Sequence, residues 1–199
     1  MHYFIRFTLL LTAISLLTSC FPAVVAGGVI VGTTAAEDRS AGDKLDDNII
    51  KIKIKDRLGE ENFKEMFARV TVTVHEGRVL LTGSVKNQSN LSGIVEITWK
   101  VHGVKEVINE LVVSSRTLGS VTNDTIAANT IRSKMLFDGE IKSINYKIEV
   151  NNGIAYVLGI ARSQAELNQI IEIARHTRGI NKVINHAISL NDMRRRNEL

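Results

Sequence analysis

Residues 77–112 read GRVLLTGSVKNQSNLSGIVEITWKVHGVKEVINELV, and residues 153–188 read GIAYVLGIARSQAELNQIIEIARHTRGINKVINHAI. A shift of 76 positions aligns the two stretches without a gap and gives 11 identities over 36 positions. The chain therefore contains two copies of one small module. Because the copies share no cluster of acids, bases or metal ligands, the repeat favours binding over catalysis.

The hydrophobic pattern predicts an α-β-β-α-β order for each copy. Ile50, Ile54 and Leu58 recur every four residues and predict a helix, although the Lys-Ile alternation around them also fits a strand. Residues 70–74 alternate as a half-buried strand does, and Asn151-Asn152-Gly153 is typical of a hairpin turn. The predicted fold class is α+β, in which two helices cover one face of a three-stranded mixed sheet.

Composition shifts divide the chain into six segments. These are a lipoprotein signal peptide at 1–19, a lipidated cysteine with a flexible linker at 20–44, module one at 45–113, a linker at 114–122, module two at 123–190, and a basic tail at 191–199. The tail contains Arg194-Arg195-Arg196 and is predicted to be frayed.

The N-terminal segment predicts export and lipid anchoring. An apolar run at 9–17 is too short to span a bilayer as a helix. Leu17-Thr18-Ser19-Cys20 resembles the lipobox of bacterial lipoproteins, which implies cleavage before Cys20, a diacylglycerol thioether and an N-linked acyl chain such as palmitate. Phe21, in place of aspartate, suggests the periplasmic face of the outer membrane. The other interpretation is a free thiol beside an ordinary signal peptide.

Charge and cysteine content limit the possible partners. Cys20 is the only cysteine, so no intramolecular disulfide forms. A net charge of +4 permits contact with anionic lipid without requiring it, and the secretory route argues against nucleic acid.

The repeated glycines resemble the pattern of the BON-domain family. They are the turn glycine before strand two (Gly77, Gly153), the glycine ending that strand (Gly83, Gly159) and the glycine ending the second helix (Gly103, Gly179). A lipobox, a short linker and two such modules together are similar to the lipid-binding type of dual-BON-domain outer-membrane lipoprotein. The resemblance implies a non-enzymatic protein without a cofactor that binds anionic phospholipid and supports outer-membrane integrity.

The first helix of module two carries the predicted phospholipid-binding site. At 100° per residue, Ala127, Ala128, Ile131 and Met135 share the core face. The opposite arc and its cationic flanks contain Ile126, Asn129, Arg132, Ser133, Lys134, Leu136 and Phe137. An outward apolar patch between two cations suits an acidic headgroup above the acyl boundary. The alternative is that the helix ends by Met135 and that Leu136-Phe137 tuck under the sheet.

A different class of function stays open at this stage. Ile97 and Ile173 point away from their helical stripes, so they are candidates for the contact between the modules or for an adaptor surface that grips another envelope protein. No catalytic or metal-binding residues are predicted, because His75, His102, His176 and His186 are scattered and are expected at the surface. Glu96 and Glu172 recur on the solvent side of their helices, so a catalytic role is not predicted for them, and an enzyme is the third choice.

Overall fold

The computed structural model describes residues 41–59, 69–114 and 121–195. Its helices and strands are α1 (Ala41–Gly59), β1 (Val70–His75), β2 (Arg78–Val85), α2 (Gln88–Trp99), β3 (Glu106–Val113), α3 (Val121–Phe137), β4 (Tyr146–Asn151), β5 (Ile154–Ala161), α4 (Gln164–Arg175), β6 (Lys182–Asn185) and β7 (Ile188–Ser189). The predicted signal peptide, Cys20, the linker up to residue 40 and residues 196–199 lie outside the described ranges.

The predicted α+β class and the α-β-β-α-β order are confirmed in both halves of the chain. In the first domain (α1 to β3), β2 pairs antiparallel with β1 and parallel with β3, and α2 makes the crossover. In the second domain (α3 to β7), β5 pairs in the same way with β4 and β6. The two strands of each hairpin follow directly along the chain, whereas the parallel pair needs the helical connection.

The ambiguous segment around residues 50–58 is a helix. Ile50, Ile54 and Leu58 are all buried in the first domain's core, so the strand interpretation is wrong. Helix α1 begins at Ala41, four residues before the predicted start of the module and inside the predicted flexible linker. This segment forms a helix and not a strand because a helix places the three residues in one continuous apolar stripe that is buried against the sheet.

A carboxylate on the first helix of each domain binds the turn of the following hairpin. Asp47 accepts hydrogen bonds from the backbone N–H groups of Glu76 and Gly77, both at 2.8 Å. Asp124 accepts from the N–H groups of Asn152 and Gly153 at 2.7 and 3.0 Å. The helix is therefore attached to the hairpin by ionic hydrogen bonds as well as by apolar packing.

The last strand of the second domain is interrupted, whereas β3, the last strand of the first domain, is continuous. Strand β6 ends at Asn185, whose side-chain oxygen accepts from the N–H of Ala187 at 2.8 Å. Pairing with β5 resumes in β7, where Ile188 lies beside Ile160. The equivalent Asn109 accepts from the N–H of Leu111 at 3.1 Å without interrupting β3, so this hydrogen bond alone does not account for the break.

Ser163 and Glu166 have the spacing of a capping box at the start of α4, but the box forms only in part. Ser163 Oγ accepts from the N–H of Glu166 at 3.1 Å, as expected for an N-cap. The Glu166 carboxylate, however, accepts from the N–H groups of Arg162 and Lys142, both at 2.8 Å. It therefore joins the helix start to the loop before β4.

The two domains meet through the sheet faces that their helices leave uncovered. One apolar cluster contains Leu80 and Ile108 from the first domain and Tyr156 and Leu158 from the second. Neighbours of these residues in β2 and β5 belong to the two separate helix-side cores. Each central strand is thus covered on both faces, which explains why every residue of β2 is buried.

The predicted roles of Ile97 and Ile173 in joining the modules are wrong. Both side chains are half-buried and pack against the core of their own domain. The helices lie on the outer sides of the paired sheets, so residues of α2 and α4 are not at the apolar contact between domains. Both side chains remain partly exposed, and the adaptor surface stays a prediction.

Two further surface predictions are wrong in part. His102 and His176 are exposed as predicted, whereas His75 is fully buried and His186 is half-buried, with its Nε2 2.9 Å from Glu110 Oε1. Residues 191–195, predicted as a frayed tail, are ordered against the first domain, and Met193–Arg195 form a 3-10 turn. Glu96 and Glu172, in contrast, are solvent-exposed as predicted.

Candidate functional site

The outward face of α3 is an exposed apolar surface. Phe137 is 86% exposed, Leu136 65% and Ile126 59%, whereas Ile131 and Met135 on the opposite side are buried. The helix continues through Phe137, so the alternative in which Leu136-Phe137 tuck under the sheet is wrong. Large apolar side chains gain free energy when they leave water, so this face favours an apolar environment.

A broad open groove of about 780 Å³ runs along this face. Its lining consists of Ile126, Asn129, Thr130, Ser133, Lys134, Phe137, Asp138 and Ile173. Five of the seven predicted lipid-contact residues are therefore brought together, and the helical spacing of three or four residues explains why. Thr130, Asp138 and Ile173 are additional lining residues that the sequence analysis missed.

The two predicted cations differ in where they point. Lys134 lines the groove, and its Nζ lies 3.5 Å from the Oγ1 of Thr177, a buried residue that follows α4. Arg132 donates to Asn129 Oδ1 at 2.9 Å and to the backbone oxygen of Ile148 on β4. Arg132 is thus drawn toward the edge of the sheet, and Lys134 is the cation placed to meet an anion in the groove.

Asp138, the acidic residue that lines the groove, accepts hydrogen bonds from other groups of the protein. Asp138 Oδ2 accepts from Gln169 Nε2 at 2.6 Å, and Asp138 Oδ1 accepts from the N–H of Glu140 at 3.0 Å. These bonds hold the loop after α3 against α4. The carboxylate is therefore turned to internal donors, which limits its repulsion of an anion bound at Lys134.

Arg132 lines a second cavity, of about 370 Å³, between the domains. Glu149 lines the same cavity, and burial raises the pKa of its carboxyl group against the opposing influence of Arg132 and Lys51. The positive charge of Arg132 therefore stabilises the ionised form of Glu149 at the domain boundary. Helical spacing alone does not reveal this role.

Within residues 46–59, helix α1 of the first domain carries no aromatic residue equivalent to Phe137. On the corresponding face of α1, Ile52 is 57% exposed and Ile49 is 39% exposed. No exposed large apolar residue of α1 among residues 46–59 is aromatic. The two domains thus share a fold but present different outer faces.

Residues 41–59, 69–114 and 121–195 show neither a grouping of metal ligands nor a helix fit to cross a membrane. No group of three or more His, Cys, Asp or Glu side chains in these ranges is arranged to hold a metal ion. Within the same ranges, no helix combines the length and the apolar character that crossing a bilayer requires.

Comparison with known proteins gives consistent matches over both domains. The model of the BON domain family matches residues 46–115 and 123–190. The outer membrane lipoprotein DolP of Haemophilus influenzae is 31% identical over 180 residues, covering 90% of this chain and 93% of that protein. The "Uncharacterized protein in gshII 5'region" of Anaplasma centrale is 38% identical over 144 residues, covering 71% of this chain and 93% of that protein. Osmotically-inducible protein Y of Escherichia coli is 30% identical over 148 residues, covering 72% of this chain and 73% of that protein.

Each matched segment spans an α-β-β-α-β arrangement around a mixed sheet and includes all but the first residues of its first helix. The matched segments cover more than half of the chain. The chain therefore belongs to the BON-domain family and contains two tandem BON domains.

Proposed function

We propose that this protein is a non-enzymatic lipoprotein of the outer membrane, anchored through Cys20 on the periplasmic face, and that its second domain binds anionic phospholipid. Through this contact it supports the integrity of the outer membrane. The single observation that carries the proposal is the exposed apolar face of α3, with Ile126, Leu136 and Phe137 beside Lys134. The likeness to an outer membrane lipoprotein supports the proposed location.

Magnitudes assign different roles to the apolar and charged residues. Complete burial of one large apolar side chain stabilises by about 1.5–3 kcal/mol. One lysine near an anionic surface contributes about 1 kcal/mol. Insertion of Ile126 and Phe137 therefore supplies most of the affinity, whereas Lys134 selects the sign of the headgroup charge.

Vesicle flotation of protein lacking residues 1–20 tests this site. We expect stronger binding to phosphatidylglycerol vesicles than to phosphatidylcholine vesicles, with the preference falling as salt screens the charges. Ile126→Asp with Phe137→Asp should weaken binding more than tenfold, because both apolar insertions are lost. The thermal midpoint should change little, since both side chains are exposed.

The first domain offers a matched control. Ile49→Asp with Ile52→Asp places the same two charges on the corresponding face of α1, where both residues are also exposed. Vesicle binding should persist in this variant. Equal binding to both vesicle types by the unaltered protein, or equal losses in the two double variants, would contradict a lipid site on α3.

The anchor is tested separately, by metabolic lipid labelling of the full chain. Cys20→Ser should abolish labelling and block normal processing, because the only thiol of the chain is removed. A mutant protein that is still processed and still fractionates with the outer membrane would show that Cys20 is not the anchor.

A further inference from the structure

The C-terminal segment 191–195 returns to the first domain. Arg195 Nε and Nη2 donate to the two carboxylate oxygens of Glu76, each at 2.9 Å. The side chains are only 18% and 11% exposed, and they lie 119 positions apart in the sequence. A two-point arginine–carboxylate contact of this kind fixes orientation as well as distance.

A second arginine extends the contact. Arg194 is held by Asp192 at 2.8 Å and lies 3.5 Å from Glu106. Glu106 also accepts from Arg78 Nε at 2.6 Å, and Arg78 Nη1 donates to the backbone oxygen of His186 at 2.9 Å. Segment 191–195 thus continues a polar network at the Arg78–Glu106 end of β2 and β3, next to the apolar contact between the sheets.

Glu76 has a left-handed backbone conformation that is unfavourable for glutamate, which suggests that its carboxylate has a specific role. Glu76 has a φ of +53°, and its equivalent in the second domain is Asn152, with a φ of +52°. Asparagine tolerates this left-handed conformation far better than glutamate does. Glutamate therefore occupies a position where the repeat shows that a less strained residue fits, and strain of this kind is a reason to look for a function.

We propose that residues 191–195 form an intramolecular clasp, in which Glu76 and Glu106 of the first domain are the binding site for Arg195 and Arg194. The clasp sets the strength of the contact between the two domains. Its release exposes the sheet faces that carry Leu80, Tyr156 and Leu158.

A substitution at Glu76 can distinguish loss of the contact between the domains from loss of stability of the first domain. Glu76→Asn removes the carboxylate and introduces the residue that the second domain uses at the same backbone conformation. The hairpin should keep its fold, because the substitution lowers the local strain. The domain contact should nevertheless weaken, because Arg195 loses its partner.

The measurement uses the full chain with a protease recognition sequence placed in the linker at 115–120. After cleavage, the dissociation constant of the two halves is measured by titration on an immobilised half, and circular dichroism checks their folding. Glu76→Asn and Arg195→Gln should each raise the dissociation constant at least tenfold. The charge exchange Glu76→Arg with Arg195→Glu should restore at least half of that loss.

Arg175→Gln is the matched control, because it removes an arginine from an exposed ion pair with Glu172 within α4. Its dissociation constant should stay within twofold of the unaltered protein. If Glu76→Asn behaves like this control, or if the exchanged pair binds no more tightly than the single variants, the clasp is refuted.

Discussion

Glu166 and Glu149 lie in the same domain, but their surroundings shift their ionisation in opposite directions. Burial alone would raise the pKa of Glu166, but hydrogen bonds from the N–H groups of Lys142 and Arg162 and from the Arg162 guanidinium outweigh it, so the pKa lies below 4.5. Burial raises the pKa of Glu149 above 4.5, and Arg132 and Lys51 offset only part of that effect. A carboxyl group whose pKa is lower in the folded than in the unfolded chain stabilises the folded protein at pH values above its unfolded-state pKa. A carboxyl group whose pKa is higher in the folded chain destabilises the folded protein at those pH values.

Replacing each acid by glutamine should therefore change stability with opposite signs. Glu166→Gln should cost about 1–2 kcal/mol at pH 7, since its ionic hydrogen bonds weaken, and the loss should shrink as the pH falls from 4.5 through the lower pKa of the folded protein. Glu149→Gln should raise stability at pH 7, and this gain should fade as the pH approaches 4.5. Urea unfolding of both variants at pH 7 and pH 4 measures the difference, and the same sign at pH 7 would contradict this assignment.

At the scale of elements, the contact between α1 and the first hairpin depends on one buried carboxylate. Asp47 is 7% exposed and accepts from two turn N–H groups, whereas its neighbour Asp46 is exposed. Asp47→Ala leaves two donors without this acceptor and should cost about 2 kcal/mol. Asp46→Ala is the matched control and should change the free energy of unfolding by less than about 0.5 kcal/mol. Equal effects of the two variants in urea unfolding would show that the turn does not need Asp47.

At the scale of the whole molecule, consecutive residues of β2 belong to different contacts. Leu80 is buried between the two sheets, and Leu81 is buried under the helices of the first domain. Leu80→Asp should separate the domains and give two unfolding transitions in calorimetry, with both helix-side cores retained. Leu81→Asp should abolish the transition of the first domain, because an unpaired carboxylate in its core is not tolerated. A single unchanged transition for Leu80→Asp would contradict the sheet-to-sheet contact.

The sequence by itself determined the repeat, the element order and the outward face of α3. Each of these depends on local periodicity, since a spacing of three or four residues places Ile126, Ser133 and Phe137 on one side of any helix. The tertiary structure decided what covers the second face of β2, because that face carries Arg78, Thr82 and Ser84 beside Leu80, a mostly polar pattern that is typical of a solvent-facing surface and not of the buried face observed. It also decided the direction of Arg132, which hydrogen bonds across 16 positions to Ile148, and the attachment of Arg195 to Glu76 across 119 positions. Contacts between distant segments depend on how the domains pack, and no local pattern of residues encodes that arrangement.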